Sequence, residues 1–345
     1  MKNDVNRQWV VADAAGGNGL GLTRDQFEYR ETAVPEIGDG EMLVRSVYFS
    51  CDPMNHAWVK GLEERFKAIP IGDPMCGGVA GRVVKSRHPD FRPGDAVTGF
   101  MEFADYVATG PMDRTGTALQ RIPDGFDLAS GLATLGMNGL CAYFGMGDFG
   151  HVKPGDTVVV SGAAGAIGSV AGQLARLSGA RVIGIAGGPR KCALLTGDLG
   201  FDAAIDYKAE DVPSRMAALC PDGIDVFFDN VGGAILDAAL ANMAHGGRIV
   251  ICGGIATYNS PGPGLQNHMA LAMRACTMSG FFFFDYIARF GEGVKRLGTL
   301  LKSGKIKEVL DVADGFDAYP DAALGQFEGR NTGKQLVRIA DDPGR

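Results

Sequence analysis

The stretch from Thr157 to Gly168, TVVVSGAAGAIG, constrains this chain more than any other. Four β-favouring residues, Thr157 to Val160, run straight into a loop of small residues, Gly162-Ala163-Ala164-Gly165-Ala166-Ile167-Gly168. SVAGQLARLSGA then carries an apolar face at helical spacing, and RVIGIAGG supplies a second apolar strand. Strand, small-residue turn, helix and strand make a βαβ unit. Its turn offers backbone N–H groups at a helix N-terminus, which suits the phosphates of a dinucleotide. The glycine pattern alone is weak, because its first position is Ala163. Close packing would also select small residues here, and the motifs elsewhere in the chain decide between the two readings.

The flanks differ in texture. Residues 1–125 read as short β runs, MLVRSVYFS, GVAGRVVKS and DAVTGFMEFADYVA, separated by the turns PEIGDG, HPDFRPGD and IPDG. From Asp127 the chain becomes apolar and helix-compatible, and strands then alternate with helices through VVVS, RVIGIA, AIDY, IDVFFDN and GRIVICGG. Alternation of this kind predicts an α/β fold, a doubly wound parallel sheet with helices on both faces. After the SPGPG loop, AMRACTMSGFFFFDY is read as a further strand and FGEGVKRLGTLLKSGKI as a helix. The closing segment returns a helix and a strand to the N-terminal part. The expected division is therefore 128–300 for the nucleotide-binding domain, with 1–127 and 301–345 forming a β-rich domain. The early Gly17/Gly19/Gly21 cluster reads as a loop.

With 345 residues the chain can bury cores for two domains. A net charge of −7 argues against nucleic acid or an anionic membrane as main partner. Lys2, Asp4 and Arg7 interrupt any signal-peptide pattern, and no apolar run reaches about 18 residues. Seven scattered cysteines without a CxxC pair fit a reducing cytoplasm.

Strand RVIGIA ends in Gly187-Gly188, without the acid that holds the ribose hydroxyls in NAD-binding units. Pro189, Arg190 and Lys191 follow, and a cation there attracts a 2′-phosphate. NADP is therefore favoured over NAD, although Arg190 and Lys191 also suit a solvated helix start. Cys51 and His56 lack the clustered partners of a zinc site, and Cys76-Gly77-Gly78-Val79-Ala80-Gly81 carries neither His nor Glu, so no metal is expected. Gly329-Arg330-Asn331-Thr332-Gly333-Lys334 is one residue short of a P-loop, and no GxSxG elbow occurs.

With NRQWVVA, VYFSCDPM, HPDFRPGDAVTG, LGMNGLCAYFG, SGAAGAIGSVAGQLA, GFDAAIDYK, DVFFDNVGG, ICGGIATYN, LLKSGKI and GRNTGKQLV, the chain resembles the zinc-independent medium-chain dehydrogenases/reductases, in their prostaglandin reductase and alkenal (enone) double-bond reductase branch. The resemblance spans nearly the whole chain. It implies a Rossmann domain joined to a GroES-like β-barrel catalytic domain, often in a homodimer. The activity it implies is NADPH-dependent reduction of the C=C bond of an α,β-unsaturated ketone or aldehyde.

Carried over by position, the resemblance lays Ala164, Gly165, Ala166 and Ile167 along the pyrophosphate, with Lys191 and Tyr207 at the 2′-phosphate. It puts Asn230 beside the cofactor, and Cys252, Gly253, Gly254, Ile255, Ala256, Thr257 and Tyr258 in a loop over the nicotinamide side. Phe281, Phe282 and Phe283 would pass the carboxamide, and Asn331 would hold the cofactor from the tail. Tyr258 is the expected catalytic residue, donating a hydrogen bond to the oxygen on which enolate charge builds. The substrate pocket is expected to draw on Met54, His56, Phe100 and Met101.

Bland readings exist for several of these. Tyr207 suits a strand end, Asn230 a turn, and Phe281–Phe284 a buried or edge strand. The chain also departs from the branch: Asp52-Pro53-Met54-Asn55-His56 lacks a Tyr and an Arg frequent in relatives, and Asn138 and Met101-Glu102-Phe103 replace other residues. His56 and Glu102 would make the pocket more polar. The alternatives are a carbonyl or quinone reductase or alcohol dehydrogenase on the same scaffold, or a non-catalytic NADP-binding protein.

Overall fold

The computed structural model describes residues 5–13, 21–61, 67–258 and 262–344. Gly17 and Gly19 of the early glycine cluster, and Ser260 and Pro261 of the SPGPG loop, lie outside the described residues. The chain divides into two compact units. One comprises Met1–Leu132, Asp311–Asn331 and Gln335–Arg345, the other Ala133–Leu310 and Thr332–Lys334.

In the first unit β1 (Val5–Val11) pairs antiparallel with β2 (Phe27–Ala33). β3 (Met42–Ser50) pairs antiparallel with β4 (Cys76–Ser86), and β4 with β5 (Ala96–Glu102). β6 (Tyr106–Thr109) joins the first half of β3, and β7 (Gln120–Arg121) joins β5. The β3–β4 register shifts between Ser46 and Tyr48, where Gly81 crosses. A Cβ on Gly81 would lie 2.2 Å from the Arg45 carbonyl oxygen, so only glycine lets the sheet bend there. α1 (Met54–Lys60) follows β3. α2 (Leu128–Leu132), read from the sequence as the start of the nucleotide domain, packs on β4 and β5 and belongs to this unit. Its five residues are all buried against that sheet, which moves the crossing from Asp127 to Leu132.

The second unit opens with α3 (Met137–Phe144) and then alternates: β8 (Thr157–Val160), α4 (Ala166–Leu177), β9 (Arg181–Ala186), α5 (Pro189–Ala193), β10 (Ala203–Asp206), α6 (Val212–Leu219), β11 (Ile224–Asp229), α7 (Gly233–Ala241) and β12 (Met243–Ile251). α8 (Ile255–Tyr258), α9 (Ala270–Met273), β13 (Thr277–Gly280) and α10 (Phe290–Lys302) complete it. The six strands are parallel in the order β10-β9-β8-β11-β12-β13. Both faces are covered, so the central strands are apolar throughout: Val158, Val159 and Val160 in β8 and Val226, Phe227 and Phe228 in β11 are fully buried. The chain winds outward from β8 through β9 to β10, then restarts at β11 and winds the other way. That reversal puts a crevice at the carboxyl ends of β8 and β11.

One expected strand is cut short. β13 stops at Gly280, and Phe283–Arg289 forms a 3-10 helix. The phenylalanines take separate partners rather than alternating: Phe281 stacks on Phe149 at 5.4 Å and Phe283 on Phe290 at 4.6 Å.

The tail supplies β14 (Leu310–Asp314), α11 (Tyr319–Phe327) and β15 (Lys334–Arg338), extending the first unit's sheet to β14-β15-β3-β4-β5-β7. Phe316 and Tyr319 complete its aromatic core: Trp9 stacks on Phe316 at 5.9 Å, Phe49 on Phe103 at 4.5 Å, and Tyr319 meets Phe103 edge-on at 4.7 Å.

Candidate active site

In the second unit the expected site residues follow the carboxyl ends of the parallel strands. β8 leads through Ser161 into Gly162, whose φ is +57°. Gly162 therefore makes the tight turn, one residue before the motif's first position, and Ala163 is free to pack at 0 % exposure. The Ala163 amide donates to the Ile185 carbonyl at 3.0 Å, tying the loop to β9. Gly165 precedes α4, with Ala166 and Ile167 in its first turn, and no side chain caps that helix among the described residues. Its first amides are left to an outside acceptor. The Ala164 carbonyl accepts from the Gly333 amide at 2.7 Å, so the returning tail residues Thr332–Lys334 brace the loop.

At the end of β9, Gly187 makes room for two side chains from the end of β10. A Cβ on Gly187 would lie 2.8 Å from the Tyr207 ring and 2.9 Å from Lys208 Cε. Tyr207 and Lys208 thus lie over the turn that leads to Arg190 and Lys191 in α5. The nearby Asp206 carboxylate accepts the Gly188 and Lys208 amides at 2.7 and 3.0 Å, and Glu210 is paired with Arg215 at 2.6 Å. Lys208 was missed from the sequence, although it is the next residue after Tyr207. Its position across Gly187 depends on β10 lying beside β9.

The ends of β11 and β12 are zipped together. Asp229 O accepts from the amides of Cys252 and Gly253 at 2.8 and 3.1 Å, Asn230 O from Ile255 at 3.3 Å, and Val231 O from Ala256 at 3.1 Å. Gly254, Thr257 and Tyr258 complete this loop, the last two in α8, and Phe281 and Phe282 extend past the end of β13. Asn230 Oδ1 is buried without a partner among the described residues. The Tyr258 phenol is half-buried, and burial raises its pKa above the ordinary value while the Gly254 amide pulls it back. An uncapped helix start, a loop built of glycine and alanine, a cationic turn and an orphaned acceptor, all at the carboxyl ends of the parallel strands, fit a phosphate-bearing dinucleotide.

The remaining candidates belong to the first unit. Met54 and His56 are half-buried on α1, the His56 ring 6.4 Å from Phe327. Phe100 and Met101 sit within β5 at 9 % and 2 % exposure. Glu102 ends β5 beside Arg114 at 3.5 Å, and burial pushes its carboxyl upward. Asn331 is the last residue of this unit before Thr332.

Two family models match: one described as an N-terminal domain of oxidoreductase, over residues 7–116, and one described as a zinc-binding dehydrogenase, over residues 166–299. A putative NADP-dependent oxidoreductase of Bacillus subtilis is 40% identical over 92% of this chain and 94% of its own length. An NADP-dependent 2-alkenal reductase of Nicotiana tabacum is 37% identical over 89% of each chain. The crystal structure of CurA from Vibrio vulnificus in complex with NADPH superposes with a TM-score of 0.88 at 35% identity, covering 97% of this chain and 99% of that one. The residues present do not fit the metal in the second description. Among the described residues no group of three His, Cys, Asp or Glu is placed to hold an ion.

Proposed function

The chain belongs to the medium-chain dehydrogenase/reductase family, and we propose that it reduces the carbon–carbon double bond of an α,β-unsaturated ketone or aldehyde with NADPH. NADP(H) is the cofactor, and when bound it supplies a hydride. Ala164, Gly165, Ala166 and Ile167 line the pyrophosphate, their backbone amides facing negative charge. Lys191, Tyr207 and Lys208 hold the 2′-phosphate. Cys252 to Tyr258 and Phe281 to Phe283 flank the nicotinamide, and Asn331 adds a contact from the tail.

The observation that carries this reading is the Tyr258 phenol. Reduction at the β-carbon moves negative charge onto the carbonyl oxygen, and some donor must meet it. A phenol with a raised pKa keeps its proton at neutral pH and donates to that oxygen without a metal. Water then protonates the α-carbon. Met54, His56, Phe100 and Met101 are assigned to the substrate side. The tobacco relative's 2-alkenal reductase activity supports the substrate class.

The direct test incubates the protein with NADPH and a panel of enones and enals and identifies each product by mass and NMR. A saturated ketone or aldehyde is the expected product. An allylic alcohol would overturn double-bond reduction in favour of carbonyl reduction.

The cationic turn carries a second expectation. Lys191→Ala should weaken NADPH about tenfold and leave NADH within about twofold, since a charge-assisted hydrogen bond to phosphate is lost. Lys208→Ala, at a more exposed position, should cost about threefold in the same direction. The ratio of NADPH to NADH dissociation constants checks both.

A further inference from the structure

Ser161 directly follows β8 and Asp229 ends β11, and both are fully buried at 0 % exposure. Buried polar groups at this depth are costly unless satisfied, and these two satisfy each other and Asn230. Ser161 Oγ donates to Asp229 Oδ1 at 2.7 Å and accepts from the Asn230 amide at 2.8 Å. Asp229 Oδ1 also accepts from the Val231 and Gly232 amides, each at 3.0 Å. Asn230 Nδ2 donates to the Ser161 carbonyl at 2.8 Å. A carbonyl oxygen only accepts, so the side-chain amide of Asn230 has one allowed orientation. Its Oδ1 is the atom that remains buried and without a partner among the described residues.

We infer that Asp229 and Ser161 are positioning residues for the cofactor, locking Asn230 so that its amide oxygen accepts a hydrogen bond from a hydroxyl or amino donor of the bound dinucleotide. Phosphate oxygens at neutral pH are acceptors, so they are not the partner of Oδ1. That leaves a ribose hydroxyl or an amide or amine hydrogen. The inference rests on the NADPH reading and goes beyond it in assigning donor and acceptor at this contact and two residues behind it.

The test is a double-mutant cycle on NADPH affinity, using the full-length wild type, Ser161→Ala, Asn230→Ala and the double variant. Each single variant is expected to bind NADPH about tenfold more weakly, and the double variant no more than about twofold more weakly than Asn230→Ala. In turnover the Ser161→Ala loss should fall on KM for NADPH rather than on kcat. Wild-type affinity in Ser161→Ala, or losses that simply add, would overturn the relay. If Ser161→Ala does not fold, Asp229→Asn, which keeps shape and one acceptor, enters the same cycle under the same criteria. Failure of the wild type itself to bind NADPH would instead overturn the cofactor assignment, so the two failures are distinguishable.

Discussion

Replacing Tyr258 by phenylalanine is expected to slow turnover about 100-fold or more while leaving NADPH affinity within about threefold. Removing one donor to a developing oxyanion typically raises the barrier by ~3–4 kcal/mol, and the ring itself is retained to fill its place. The effect should lie in kcat, because the interaction strengthens only as charge reaches the oxygen. A Tyr258→Phe enzyme with wild-type kcat would remove Tyr258 from the chemistry.

The pH dependence gives the same assignment a second check. The active form is the protonated phenol, whose pKa burial raises above the ordinary 10.0. The donor is therefore present at all lower pH and lost only as pH rises through that raised value. Wild-type kcat should show no falling limb from this group below about pH 10, and Tyr258→Phe should lack whatever limb appears above it. A limb near neutral pH that disappears in the variant would contradict a phenol donor with a raised pKa.

Much of this architecture is legible in the residues. Strand apolarity and small-residue turns mark the parallel sheet, because strands buried on both faces need continuous runs such as TVVV and DVFF. The turn after β8 was harder to read, since Ala163 breaks the glycine pattern and only the φ of Gly162 reveals where the bend lies. Short-range signals also misled over Phe281–Phe284, where composition favours a strand, yet β13 ends at Gly280 and a 3-10 helix starts at Phe283, whose ring packs on Phe290. Lys208, Ser161 and Asp229 could not be picked out in advance. Their roles depend on which strands lie side by side, β10 on β9 and β11 on β8, and that pairing joins residues up to 69 positions apart, as at Asn230 and Ser161.

Gly168→Ala brings local propensity and packing into direct conflict, and packing is expected to win. Gly168 lies in the first turn of α4, where alanine is favoured over glycine by up to about 1 kcal/mol. Yet a Cβ at this position would lie 2.4 Å from the Gly162 carbonyl oxygen and 2.8 Å from Ala163 Cα. Both are backbone atoms of the loop assigned to the pyrophosphate, so no side chain can rotate away and the turn itself must move. Overpacking of this kind costs about 1–3 kcal/mol, and displaced amides lose their aim at the phosphates. Gly168→Ala should therefore lower the melting temperature and weaken NADPH by at least about tenfold. Gly291→Ala is the matched control: it too lies in a first helical turn, in α10, but nothing among the described residues lies within 4 Å of its Cβ. It should be neutral or stabilising by a few tenths of a kcal/mol and leave NADPH binding unchanged. If both variants bind NADPH equally well, the turn between β8 and α4 is not where the pyrophosphate lies.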